Sequence, residues 1–120
     1  MKLNSTEEIT DYGKIWKYEA QDKSFHFAIY KYGDDDDTYY LASVFVDESR
    51  RGEGLGNVIL STAEDIMEKV NAKTLRLKAK TGSFAHNWYK RHGYTDIGID
   101  ETAPSYTWMK KNLNVVNPYE

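Results

Sequence analysis

The residues Arg50-Arg51-Gly52-Glu53-Gly54-Leu55-Gly56 place three glycines in five positions. They separate an apolar run, Thr38 to Val46, from a segment with apolar residues at helical spacing: Leu55, Val58, Ile59, Ala63, Ile66, Met67 and Val70. Glycine is unfavourable there unless the backbone must turn unusually or approach something closely. The first N–H groups of a helix lack intrahelical partners, and the helix dipole favours negative charge beside them. Such a turn can cradle an anion or can simply connect two elements, and the loop alone leaves both readings open. Neither common phosphate fingerprint fits. The nucleotide P-loop needs a lysine after its last glycine, and the dinucleotide GxGxxG counted from Gly52 needs a sixth-position glycine. Asn57 stands at both places.

A second set of groups suits proton transfer. Tyr89 lies in a short predicted helix, with His86 one turn earlier, and His26 lies in a predicted strand. A tyrosine can supply a proton to a leaving group, and a histidine or an ordered water can take one. There is no cysteine, which removes thiolate nucleophiles, thiolate metal sites and disulfides; no metal is expected.

The elements that would position these groups follow from periodicity. "GKIWKYEA" and "SFHFAIYKYG" alternate and read as strands joined by a short turn, and Phe25, Phe27 and Ile29 share one side. Asp34-Asp35-Asp36-Asp37 is a loop tip, because adjacent like charges repel. "TYYLASVFV" is apolar nearly throughout, as expected of a strand covered on both faces. "KTLRLKA" alternates again. Ser83 would cap a short helix with Phe84, Ala85, Trp88 and Tyr89 on one face, closed by Gly93. "GYTDIGI" and "SYTWMKKN" read as final strands around the turn "DETAPS". Residues 1–12 are polar without a period and read as a frayed start or one helical turn. The order is β-β-β-α-β-α-β-β. The fold class is α/β (α+β), a mixed, mostly antiparallel sheet flanked by helices.

The length of 120 residues suits a single domain, 1–120. A net charge of −3 with dispersed basic residues speaks against nucleic acid as partner. The start, "MKLNSTEEIT", has no apolar stretch of a signal peptide, and no run is long enough to span a membrane. A cytoplasmic location is expected.

Arg51-Gly52-Glu53-Gly54-Leu55-Gly56 resembles (Arg/Gln)-x-x-Gly-x-(Gly/Ala), the acyl-CoA pyrophosphate motif of the GNAT family of N-acetyltransferases. Ala85-His86-Asn87-Trp88-Tyr89-Lys90-Arg91-His92-Gly93-Tyr94 resembles that family's Ala-x-x-(aromatic)-Tyr-x-x-x-Gly-(Phe/Tyr) signature, in order and at a fitting separation. The resemblance covers about residues 38–113. It implies acetyl-CoA as acyl donor and a primary amine as acceptor, in a protein or a small molecule such as a polyamine.

The resemblance also assigns roles. In the family the fourth and fifth strands part, and the pantetheine arm pairs with the fourth-strand backbone, here at Val44 and Val46. The pyrophosphate would meet the amides of Arg51, Gly52, Glu53, Gly54, Leu55 and Gly56, with Asn57 opening the helix. Tyr89 would supply the proton to the departing thiolate. Arg50 reads as solvated. No Asp or Glu stands in Thr38 to Val46 to act as base, which leaves water, His26 or His86. Two departures stand out. Gly82 occupies a position that is often asparagine, and only about a dozen residues replace the family's usual first strand and two helices. Loss of those helices leaves the acceptor side open, or closed by a second copy in a homodimer. The alternative reading is a non-catalytic acyl-CoA-binding or protein-interaction domain with the same fold.

Overall fold

A computed structural model of the chain describes residues 2–113. The strands are β1 (Leu3–Thr10), β2 (Gly13–Ala20), β3 (Phe25–Tyr32), β4 (Thr38–Val46), β5 (Thr74–Lys80), β6 (Thr95–Ile99) and β7 (Tyr106–Asn112). The α-helices are α1 (Leu55–Lys69) between β4 and β5, and α2 (Phe84–Arg91) between β5 and β6. One mixed sheet runs in the order β1-β2-β3-β4-β5-β7-β6. All neighbours are antiparallel except β4 and β5.

The opening residues are a strand, not a frayed end or a helical turn. β1 pairs with β2 along its whole length, from Leu3↔Ala20 to Thr10↔Gly13. Nearly all of β1 is exposed, so it has no buried face to write a period into the sequence. Its ladder holds it, helped by Lys17 on Glu8 at 2.9 Å and Lys14 near Glu7 at 3.4 Å. Thr10 Oγ1 accepts from Gly13 N at 3.1 Å and closes the turn through Asp11 and Tyr12. The strand expected to be missing is therefore present, and a turn joins it to β2 with no helix between them, as the short opening segment implied. The meander has four strands rather than three.

The core lies between the helices and one face of the sheet. Phe25, Phe27 and Ile29 of β3, Tyr39 and Leu41 of β4, and Leu75 and Leu77 of β5 meet Ile59, Leu60, Ala63 and Met67 of α1. The α1 stripe follows its spacing, except that Leu60 is also buried and Val70 is left outside at the helix end. The β4-α1-β5 crossover and the β5-α2-β6 crossover both advance across the sheet in one direction, which puts both helices on the same face.

The opposite face carries no helix among the described residues. β4 is therefore not covered on both faces: Val44 and Phe45 are 42% and 43% exposed. Its apolar composition reflects aromatic pairing on an open face instead. Tyr30 stacks on Tyr40 with centroids 5.0 Å apart, and Tyr40 meets Trp108 edge-on at 5.8 Å.

Close strand approach makes one glycine structural. A Cβ on Gly13 would stand 2.0 Å from the Lys31 carbonyl oxygen across the β2–β3 ladder. Gly13→Ala is expected to prise these strands apart and to cost about 1–3 kcal/mol, read as a lower urea midpoint.

Candidate functional site

The site begins where β4 loses its neighbour. β4 and β5 share only three pairs: Thr38↔Thr74, Tyr39↔Leu75 and Tyr40↔Arg76. Beyond Tyr40 the two strands diverge, and β4 runs on to Val46 with one edge facing a gap. Within this stretch β4 holds an extra residue against β3: Ala42 pairs with Ala28, and Phe45 with His26. Ser43 takes the strain of this bulge, with φ +53°.

The chain leaves β4 through a short turn of 3-10 helix, Glu48–Arg50, and enters α1 through the glycines. Gly52 and Gly54 have φ of +87° and +80°, a region that other residues enter only with strain. A Cβ at either would meet no protein atom within 4 Å, so the loop surface beside them is open. Gly54 is the N-cap of α1 and supplies no side-chain cap. The N–H groups of the first turn therefore face outward without a side-chain partner. At Gly56 a Cβ would meet the Trp88 ring at 3.7 Å, an ordinary packing contact. Trp88 thus seats α2 against the start of α1.

A cleft of about 350 Å³ lies at this junction. Val46, Arg51, Gly52, Gly54, Leu55, Gly56, Asn57 and Tyr89, all expected at a site, line it together. Val44 and Glu53 do not line it. Val44 lies on the unpaired stretch of β4, and Glu53 is turned to Arg50. The arginines also differ from expectation. Arg50 is not simply solvated: it donates from Nε to Glu53 at 2.8 Å and lies 3.3 Å from Asp22. Its guanidinium is held above the usual arginine range, first by Glu53 and then by Asp22. Arg51 reaches back to the Val46 carbonyl, with Nε at 3.4 Å, and so ties the loop to the end of β4.

The second motif forms α2 as its cap predicts. Ser83 Oγ accepts from His86 N at 3.1 Å, and Gly93, at φ +95°, follows the last turn. Phe84 does not join the buried face; it is 78% exposed and lines the cleft from outside. His86 takes the interior place. Its Nδ1 accepts from Gly82 N at 2.9 Å, so Nε2 carries the proton and donates to Asp96 at 2.8 Å. That bond holds the Asp96 carboxyl below its ordinary range. With both nitrogens engaged, His86 braces α2 against β6 and is not placed to serve as a base. Burial pushes the Tyr89 hydroxyl up, so it carries its proton at neutral pH. Asn57 meets His92 Nε2 at 3.1 Å while His92 Nδ1 donates to the Trp88 carbonyl at 2.8 Å. This bridge between the helices gave no signal in the sequence, because its members are 35 residues apart.

A model of the acetyltransferase (GNAT) domain matches residues 11–96. The chain belongs to the GNAT acetyltransferase family. No curated protein matches it. Among solved structures, a putative acyl-CoA N-acyltransferase from Klebsiella pneumoniae superposes with TM-score 0.67 at 18% identity, covering 93% of this chain and 98% of that one. PaiA N-acetyltransferase from Thermoplasma acidophilum, solved with coenzyme A, gives 0.66 at 18% identity over 82% of this chain and 59% of that one. A GNAT acetyltransferase from Elizabethkingia anophelis, solved with acetyl-CoA, gives 0.67 at 13% identity over 85% and 77%. The element order of this GNAT chain is that of the family, with β1 in place. In this chain a two-residue turn joins β1 directly to β2.

On the uncovered face of the sheet His26 stacks on Phe45 at 5.0 Å and sits with Ser43 in a second cleft, of about 450 Å³. Across the sheet Asp100 accepts from Lys78 at 2.9 Å and from Thr102. These bonds, Lys78 foremost, hold its carboxyl at about 2. A carboxyl depressed on folding adds stability above its unfolded value and loses it as pH falls toward the folded one. The contribution of Asp100 is thus expected to fade between about pH 4 and about pH 2. Asp100→Asn should lower the urea midpoint at pH 6 and flatten its fall across that window.

Proposed function

We propose that this GNAT protein is an acetyl-CoA-dependent N-acetyltransferase that moves the acetyl group to a primary amine by direct attack on the thioester. The observation that carries the reading is the convergence of the uncapped α1 N-terminus, opened by Gly52 and Gly54, with the unpaired edge of β4. A diphosphate needs clustered N–H donors and close backbone approach, and the loop from Arg51 to Gly56 offers both. An extended amide-bearing arm needs a strand edge without a partner, and β4 offers one beyond Tyr40, through Val44 and Val46. Glu53 acts through Arg50, by shaping the loop, rather than by facing the cleft.

The chemistry then asks little of the protein. The amine nitrogen bonds to the acetyl carbon, the carbon–sulfur bond breaks, and the electron pair leaves with sulfur. The nitrogen gives up one proton and the thiolate gains one. A thiol titrates near 8.5 and a tyrosine near 10, and burial raises Tyr89 further. Complete transfer from Tyr89 to the thiolate is therefore uphill. Its advantage is a hydrogen bond donated to the sulfur as charge develops there, and the released thiolate takes its proton from water. The amine's proton passes to water or to His26, since β4 has no carboxylate and His86 is engaged. The second reading, an acyl-CoA-binding domain without turnover, draws support from that same lack of a committed base.

Calorimetric titration with acetyl-CoA, with ATP for comparison, tests the cofactor assignment; one site that prefers acetyl-CoA is expected. Gly54→Val combines a strained φ with a side chain in the loop mouth, and is expected to abolish that heat. Undiminished affinity in this variant would remove the loop from the binding site. Tyr89→Phe is expected to lower kcat by about 10²-fold with little change in KM, because the sulfur's charge exists only in the transition state. An amine panel that binds but yields no free thiol would favour the second reading.

A further inference from the structure

The open face of the sheet holds a buried arginine nitrogen without a partner among the described residues. Arg76 is the last β5 residue paired with β4, opposite Tyr40, where the gap between the strands begins. Leu75 and Leu77 point to the core, so strand alternation sends Arg76 to the uncovered face. Its Nε is buried and has no hydrogen-bond partner among the described residues. A buried donor left unpaired costs about 1–3 kcal/mol and calls for an explanation. Lys110 lies directly opposite it on β7, and like charges opposite each other in a ladder repel. The Asp100 carboxylate on this face is already taken by Lys78 and Thr102.

Arg76 borders a cleft of about 340 Å³. Tyr40 and Trp108 wall it, Ile97 and Ile99 form its outer side, and Arg76 lies within it. Ile97 and Ile99 are 40% and 60% exposed, as sheet residues with nothing over them. The cleft thus combines aromatic and aliphatic walls with a guanidinium whose Nε has no partner among the described residues.

We propose that Arg76 binds the carboxylate of the acceptor, and that the acceptor is a small amine carrying a carboxylate and an apolar or aromatic body, as an amino acid does. This rests on the transferase reading. The guanidinium fork pairs with a planar carboxylate through two parallel hydrogen bonds, and the Tyr40–Trp108 wall takes the apolar body. Because Arg76 stands at the point where β4 and β5 part, a carboxylate held there leaves the amine a few bonds away, at the gap.

N-acetylphenylalanine, a product-like acid, and its methyl ester form the test pair. The wild-type protein is expected to bind the acid at least about tenfold more tightly than the ester, since a charge-assisted pair is lost in the ester. Arg76→Met keeps the aliphatic stem and should erase the difference while leaving acetyl-CoA affinity unchanged. It also relieves the repulsion with Lys110, so its thermal midpoint should not fall. Arg76→Lys keeps the charge without the fork and should retain only part of the preference. Equal binding of acid and ester by the wild type, or an unaltered preference in Arg76→Met, overturns the assignment. Tighter binding of phenyl phosphate than of the acid overturns the carboxylate. An Arg76-dependent acid preference in a protein that gives no acetyl-CoA heat upholds the anion site and refutes the transferase.

Discussion

The parting of β4 from β5 is the constraint on which the rest of the structure depends. Two parallel strands joined by a helix would ordinarily pair along their length, and here they stop after three pairs. The β4 bulge at Ser43 and the loop through Gly52 and Gly54 lie along the edge so exposed. Both are conformations that a closed sheet would not need. Each leaves backbone polar groups turned toward a gap, and buried polar groups require partners. The helices make the gap affordable. α1 and α2 pack a continuous apolar layer against the covered face, and Trp88 of α2 lies beside Gly56 at the start of α1. The sheet can then lack a stretch of ladder without losing its shape.

The sequence made the covered face legible and the uncovered one much less so. Where a strand or helix buries one side, alternation or helical spacing records it, as for Phe25, Phe27 and Ile29, or Ile59, Ala63 and Met67. β1 is recorded by neither, because it buries almost nothing and is held by backbone pairing. β4 misled for the opposite reason: tyrosines that stack on one another across an open face look, in one dimension, like residues buried on two. Phe84 shows the limit of a helical stripe, since a large apolar side chain in the first turn can point past the core, and His86 takes its place by satisfying both ring nitrogens.

For the site, the glycine motif and the second motif placed most of the cleft, because both depend on backbone demands that only certain residues meet. Residues whose roles come from distant partners were beyond reach. Arg50 finds Asp22 across 28 positions and Asn57 finds His92 across 35. Arg76 gave no signal either: in the sequence it is one more polar residue in an alternating strand. Only the fold brings it beside Lys110 and leaves its Nε without a partner among the described residues.

The turn through Asp11 and Tyr12 has a consequence for how the chain finds its fold. With β1 joined to β2 by two residues, the first four strands form a run of nearest neighbours connected by short links. Closing short loops costs little chain entropy, and contacts close in sequence form quickly. β5 must instead cross over α1 to reach β4, and it gains only three pairs there. The long loop closed by α1 is thus repaid by little ladder, along the same seam that the site occupies.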